Sequence, residues 1–203
     1  GFEWETIEPD DPWSYIGYWG DHQIIYLLKF LELYEKHQPE AFHALMDEDV
    51  FVYANVPYRI KNYDEIAKNP KDTIDFDAKE DEAIRERVAN IGADGALLIN
   101  KNEEIHRVSL LEKLLATTLA KVSNFIPKGG IWMNTQRPEW NDANNALVGN
   151  GVSMVTLYYL RRFLSHFEQI LEKVSDDNVQ ISVELNDCFQ SILETLVQYK
   201  EVI

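Results

Sequence analysis

Residues 21–36 read DHQIIYLLKFLELYEK, and this stretch sets the first expectation about the fold. It opens with an acidic residue that suits the N-terminus of a helix. Closely spaced apolar and aromatic residues follow without a glycine or a proline. The pattern predicts a helix that is buried on most of its sides.

The rest of the chain carries further helical patterns. They lie at Pro39–Met46, Lys79–Ile91, Glu103–Asn124, Val152–Val174 and Ile181–Tyr199. The strongest is the fourth of the six predicted helices, because its apolar residues recur at steps of three and four. Strand patterns are short, the best being residues 51–56, and residues 57–79 are the least regular part. We therefore predict an all-α fold with at most a minor β-hairpin, in one domain over residues 1–203.

The composition is that of a globular protein with a strong excess of acid. Of the 203 residues, 45% are hydrophobic and 27% are charged, and 35 acidic residues against 19 basic ones give a net charge of −16. Phosphate backbones and anionic membrane surfaces would repel such a chain. No stretch reaches the ~18 apolar residues of a membrane span, and no signal peptide is visible. We expect a soluble protein that binds neither nucleic acid nor membranes, with its compartment left open.

Metal sites and disulfides are not expected. Cys188 is the only cysteine, so it can form no intrachain disulfide and no cysteine zinc site. His37, His43, His106 and His166 lack any paired metal-ligand spacing. We interpret them as surface residues or satisfied core residues.

The residues best suited to chemistry lie in the stretch RPEWNDANNALVG, at 137–149. Trp140 offers a flat face for a sugar ring, and Arg137, Asn141 and Asn145 offer hydrogen bonds to hydroxyl groups. Glycosidic cleavage needs a carboxylic acid to protonate the leaving oxygen, for which Asp142 and Glu139 are the local candidates. By residue type alone, however, helix caps and core tryptophans are the commoner explanation.

A resemblance favours the chemical interpretation. Trp140-Asn-Asp, followed by Asn145 and Gly149-Asn-Gly, resembles the Asp-Trp-Asn-Asp-Gly-Met-Asn segment of the cellobiose and chitobiose phosphorylases. Those enzymes are inverting, and their catalytic domain is an (α/α)6 barrel. The resemblance implies that Asp142 is the general acid and that Glu139 replaces the family's first Asp.

A second segment matches the same family in the expected order. Trp19-Gly-Asp-His-Gln-Ile-Ile-Tyr-Leu resembles its Asp-Asp-His-Leu-Trp-Leu segment, which begins a barrel helix and lines the glycone subsite. Asp21 and His22 fall on the matching positions, whereas Gly20 replaces the first Asp. The resemblance implies that Trp19, Asp21 and His22 contribute to sugar binding.

The match is partial. It covers roughly residues 13–38 and 128–165; Ala143 and Asn144 replace the family's Gly-Met, and Val152 stands where a Glu is usual. A barrel of twelve helices normally exceeds ~300 residues. The sequence of this chain predicts only five or six helices. We therefore expect helical hairpins that form part of an (α/α)6 toroid, in a fragment of a larger domain.

The leading hypothesis is a carbohydrate-active protein that cleaves glycosidic bonds of oligosaccharides with inversion. It needs no cofactor, although inorganic phosphate is a co-substrate if the reaction is phosphorolysis; phosphorolysis and hydrolysis stay open because no convincing phosphate site is found. The alternative is a non-catalytic helical module that binds carbohydrate or a partner domain. A third possibility is an acidic helical interaction protein without a sugar role. Further partners would be the remainder of the barrel or a second copy of the chain.

Overall fold

The computed structural model describes residues 21–69, 72, 74–132, 151–173, 179–201 and 203, with side chains from residue 24 onward. Seven α-helices lie in these ranges: α1 (Asp21–His37), α2 (Pro39–Ala44), α3 (Tyr63–Lys68), α4 (Ala78–Ile91), α5 (Leu110–Val122), α6 (Met154–Leu171) and α7 (Val183–Gln198). A 3-10 helix covers Gly92–Ala96. Within the same ranges, no helix is both long and apolar enough to span a membrane.

Seven short strands accompany the helices: β1 (Phe51–Val52), β2 (Tyr58–Ile60), β3 (Ile74–Phe76), β4 (Arg107–Val108), β5 (Phe125–Ile126), β6 (Gly130–Trp132) and β7 (Val152–Ser153). They form three small sheets with the strand orders β1-β4, β2-β3 and β5-β6-β7. Pairing is antiparallel between β2 and β3, between β5 and β6, and between β6 and β7.

The predicted all-α class is wrong. The chain is a mixed α/β protein whose helices are joined by three small sheets, and this is not the all-helical toroid that the resemblance implied. Strand β1 lies within the strand pattern at 51–56, but the other strands were not predicted, because each has only two or three residues, too few for an alternating pattern to show. Two of them, β2 and β3, lie in the segment that the sequence marked as least regular.

Most predicted helices are confirmed to within a few residues, but the one at Glu103–Asn124 begins late. Helix α5 starts only at Leu110, because Ser109 caps it by accepting a hydrogen bond from the Glu112 backbone amide at 3.3 Å. The preceding residues include strand β4 and Glu103, whose φ of 63° interrupts any helix. Ile105 and Val108 match the helical spacing by coincidence.

The chain divides into two compact units. Among the described residues, the first unit comprises 52–69, 72, 74–106 and 151, and the second comprises 21–51, 107–132 and 152–203 with its gaps. The prediction of a single domain over residues 1–203 stays a prediction.

The second unit holds the main hydrophobic core. Helix α1 buries Ile24, Leu28 and Leu31, which are spaced by four and three residues and therefore lie on one face. Helix α6 buries a matching stripe that includes Phe163 and Phe167. These residues pack together with side chains from α2, α5 and β6 in one cluster.

Among the described residues, the first unit has fewer buried side chains than the second. Strands β2 and β3 pair from Tyr58 opposite Phe76 to Ile60 opposite Ile74, and α4 follows directly with Asp77 as its N-cap. The 3-10 helix then lies against α4. A Cβ at Gly95 would meet the Arg87 backbone carbon at 2.4 Å, so this close approach requires glycine.

Candidate functional site

Helices α1 and α6 pack side by side in the second unit and run parallel. The Lys29 ammonium lies 6.0 Å from the centre of the Tyr159 ring, and Arg162 donates to both carboxylate oxygens of Glu32 at 2.7 Å. Each partner on α6 lies 130 residues further along the chain. Because the contacts advance in the same direction on both helices, the N-termini of the two helices lie at the same end. We call this contact the parallel seam.

Helix α6 begins directly after strand β7. Trp132 of β6 is the register partner of Val152 of β7, so the two ends of the chain segment 133–151 are neighbours in the small sheet. Ser153 then caps α6 by accepting from the backbone amide of Thr156 at 3.1 Å and from its hydroxyl at 2.9 Å. Strand β6 packs against α6, so both ends of this segment are attached beside the core.

The parallel seam relates the start of α1 to the start of α6. If the offset of 130 residues is carried back along both helices, Ile24 in the first turn of α1 lies level with Met154, the first residue of α6. The start of α1 lies about 12 Å from Lys29 along the helix axis, at 1.5 Å per residue. The first turn of α1 and strand β7, which directly precedes α6, are therefore at the same end of the second unit.

The predicted site residues themselves are not within the described structure. Seven of them, in the first motif or in the segment 133–151, lie outside the described residues: Trp19, Arg137, Glu139, Trp140, Asn141, Asp142 and Asn145. Asp21 and His22 are the first two residues of α1, but their side chains also lie outside the described part. Their predicted roles are therefore neither confirmed nor contradicted.

A cluster of charged residues at Glu35 was not foreseen from the sequence. The Lys173 ammonium lies 2.7 Å from one carboxylate oxygen of Glu35, and the Nε2 atoms of His43 and His166 each lie 3.7 Å from a carboxylate oxygen. The hydrogen bond from Lys173 lowers the pKa of Glu35, and burial of the carboxylate opposes this shift. Glu35 is thus held as an anion between three basic side chains.

The Glu35 cluster lies away from the first turn of α1. Glu35 is about 20 Å along α1 from the first residue of the helix. Among the described residues, no group of three His, Cys, Asp or Glu side chains is arranged to hold a metal ion. Nothing in the sequence links His43, His166 and Glu35, since α1, α2 and α6 bring them together from distant positions.

A second unforeseen feature is an open groove between α5, α6 and α7, with a volume of about 840 Å³. Its apolar lining includes Leu115, Leu119, Leu164, Phe189, Ile192 and Leu193. We call it the apolar groove. Leu164 and Leu193 are each 42% exposed, so the groove is open to solvent.

A buried carboxylate attaches α7 beside this groove. Glu112 of α5 is only 3% exposed, and it accepts hydrogen bonds from both the backbone amide of Ser182, at 2.8 Å, and the Ser182 hydroxyl. Ser182 directly precedes α7. The orientation of α7 is thus fixed at its N-terminus, whereas its apolar side chains remain half-exposed.

The first unit contains a cavity of about 890 Å³ beside β2, β3 and the start of α4. Its charged lining residues are of both signs: Arg59 and Lys79 are basic, and Asp75, Asp77 and Glu80 are acidic. Asp77 is already engaged as the cap of α4, accepting from two backbone amides at 3.0 and 3.1 Å. The mixed charges indicate no particular ligand.

Comparison with known proteins adds no family assignment. No protein-family model matches the chain, and neither does any curated protein.

Proposed function

We propose that this chain is part of a carbohydrate-active protein that cleaves glycosidic bonds of oligosaccharides with inversion, with Asp142 as general acid. Asp142 protonates the leaving oxygen, and Glu139 is the second carboxylate of the same segment. The sugar is bound by the side chains that the two motifs contribute: Trp19, Asp21, His22, Arg137, Trp140, Asn141 and Asn145.

The observation that carries the proposal is the parallel seam. The two segments that resemble the phosphorylases are 121 residues apart when measured from Asp21 to Asp142, so nothing in the local sequence requires them to meet. The parallel packing of α1 and α6 nevertheless puts the first turn of α1 at the same end as both ends of the segment 133–151. A glycone subsite built from both segments requires this proximity.

Because the described structure is not an all-helical toroid, only the two motifs of the resemblance support the proposal. The two motifs and the elements next to them remain, but the proposal no longer includes an all-helical barrel around them. The group that attacks the anomeric carbon is phosphate or water. In the first case inorganic phosphate is a co-substrate, and in the second a further carboxylate activates the water.

The test is a product assay with Asp142→Asn. The chain is incubated with cellobiose, diacetylchitobiose and longer oligosaccharides, with and without inorganic phosphate, and the anomer first formed is recorded by NMR. Loss of a general acid typically costs between 10² and 10⁴ in rate, so we expect the variant to fall by at least about 100-fold. The matched control is Asp187→Asn, which changes an exposed residue on α7 and should leave the rate unchanged.

Each outcome bears on one hypothesis. Equal rates for the wild type and Asp142→Asn would overturn the assignment of the acid, and retention of configuration would overturn the inverting mechanism. Binding of sugar by calorimetry without turnover would favour the non-catalytic carbohydrate-binding module. An absence of both binding and turnover would overturn any sugar role for this chain.

A further inference from the structure

Helix α7 has an apolar face that the second unit leaves incomplete. Leu185, Phe189, Ile192 and Leu196 recur at steps of four, three and four, which puts them on one face of the helix. None of the residues of α7 is buried, although its amphipathic pattern is clear. Helices of this kind usually bury such a face against a neighbour, and the part of the chain that the structure describes covers this face only in part.

The apolar groove has the dimensions of a site for one more helix. Its lining runs over about two turns of each wall, from Leu115 to Val122 on α5 and from Phe189 to Leu196 on α7. Seven residue steps correspond to about 10.5 Å of helix. A guest helix with apolar side chains at positions i, i+4 and i+7 covers the same length.

The charges around the groove favour a basic occupant. Among the described residues that line it, the only charged side chains are Glu168 on α6 and Glu172, the C-cap residue that follows α6. The chain as a whole has a net charge of −16. A second copy of the same chain would therefore be repelled, as would an anionic membrane surface, whereas lysine and arginine side chains would be attracted.

We propose that the apolar groove binds an amphipathic helix of a basic partner protein. The guest inserts three apolar side chains between α5, α6 and α7 and places lysine or arginine residues beside Glu168 and Glu172. This is the helix-in-groove mode of recognition, in which spaced apolar anchors supply most of the affinity. The proposal is independent of the sugar chemistry, because it uses neither motif.

The groove suits a helix better than a small apolar molecule. Binding pockets for small molecules typically enclose 70–90% of the ligand surface. Here Leu164, Leu171 and Leu193 are 42–44% exposed, so the groove is open along its length and covers only one face of a guest. An extended peptide would gain little affinity from backbone hydrogen bonds, because the walls of the groove are helices and present no free strand edge.

The experiment uses the whole chain and a fluorescently labelled synthetic peptide of about 15 residues, a length sufficient for about four helical turns. The peptide carries leucine at i, i+4 and i+7 and lysine on its remaining faces; a control of identical composition has its leucines scattered around the helix. Binding is followed by fluorescence anisotropy at low and at high salt. We expect the patterned peptide to bind at least about tenfold more tightly than the scattered control, a difference worth about 1.4 kcal/mol.

Two variants on one helix make the test specific. Leu193→Gln changes a residue that lines the groove, and Val197→Gln changes one that is 66% exposed and does not line it. We expect the first to weaken binding by about tenfold and the second to leave it unchanged. The double variant Glu168→Gln, Glu172→Gln should reduce both the affinity and its salt dependence. Circular dichroism checks that each variant remains folded.

Several results would overturn the proposal. Equal binding of both peptides would mean that charge alone attracts them, and equal effects of Leu193→Gln and Val197→Gln would put the peptide elsewhere. Sedimentation that shows a dimer, lost in Leu193→Gln, would identify a second copy as the occupant. Displacement of the patterned peptide by laurate at micromolar concentration would identify a small apolar ligand instead. Failure here leaves the sugar assay unaffected, so the two proposals fail separately.

Discussion

The parallel seam and the apolar groove lie on the same helix and are built differently. Toward α1, helix α6 buries Phe163 and Ile170, and charged side chains close the margin of the contact. Toward α7, the same helix presents Leu164 and Leu171, which remain more than 40% exposed. Neighbouring residues of α6 thus belong to a buried contact on one side and to a partly exposed contact on the other.

This difference shows what an amphipathic pattern can and cannot say. The spacing of apolar residues in α6 indicates that the helix packs, but it does not state how many neighbours are present to cover it. In the parallel seam the cover is supplied by this chain. In the apolar groove the described residues cover the apolar side chains only in part. This partial exposure is the physical reason for assigning the groove to a partner.

The largest expected effect comes from truncating neighbouring apolar residues on the two sides of α6. Phe163→Ala removes a ring that is 1% exposed and should lower the free energy of unfolding by about 3–5 kcal/mol, because the cavity cannot refill. Leu164→Ala, at a residue that is 42% exposed, should cost less than about 1 kcal/mol. Urea denaturation of both variants measures the difference, and similar losses would mean that the groove is a closed core.

A smaller effect is expected from Glu35, at the margin of the parallel seam. Lys173, His43 and His166 all face its carboxylate, and the hydrogen bond from Lys173 lowers its pKa. A lowered folded-state pKa adds stability above the unfolded value of about 4.3, and this stability is lost as pH falls through the folded value. Because Lys173 is 55% exposed, the contribution at neutral pH should be only about 1 kcal/mol.

The measurement compares the wild type with Glu35→Gln in urea titrations from about pH 7 down to about pH 3. We expect the wild type to be the more stable protein at neutral pH and the difference to disappear in acid. Glu40→Gln, which changes an exposed carboxylate on α2, is the matched control. A difference between wild type and Glu35→Gln that stays constant over the whole range would contradict the role of the ionised carboxylate.

Local patterns predicted every described α-helix except α3, and they failed for every described strand except β1. Helices α1, α4 and α7 begin and end within about two residues of their predicted bounds, because caps and apolar periodicity are local properties. Strands β2 and β3 have three residues each, and their antiparallel pairing depends on chain that is distant in sequence. The all-α prediction failed at these strands, because three residues are too few to show an alternating apolar pattern beside the longer helical patterns around them.

The candidate site shows the same division between local and distant information. The sequence could identify the two motifs, but it could not predict that α1 and α6 pack in parallel, since that requires a contact over 130 residues. It also missed the cluster at Glu35, which α1, α2 and α6 form jointly. The stripe on α7, by contrast, was readable from spacing alone, and only its incomplete cover needed the structure.

The smallest expected effect concerns the pair that defines the register of the parallel seam. Arg162 contacts both carboxylate oxygens of Glu32 at 2.7 Å, but the two side chains are 55% and 35% exposed. Exposed pairs typically contribute about 0.2–1 kcal/mol, and salt screens them. A double-mutant cycle of Arg162→Gln and Glu32→Gln should therefore give a small coupling energy that shrinks at high salt. A coupling above about 2 kcal/mol would mean that the pair, and not the buried face with Phe163, holds the two helices in parallel.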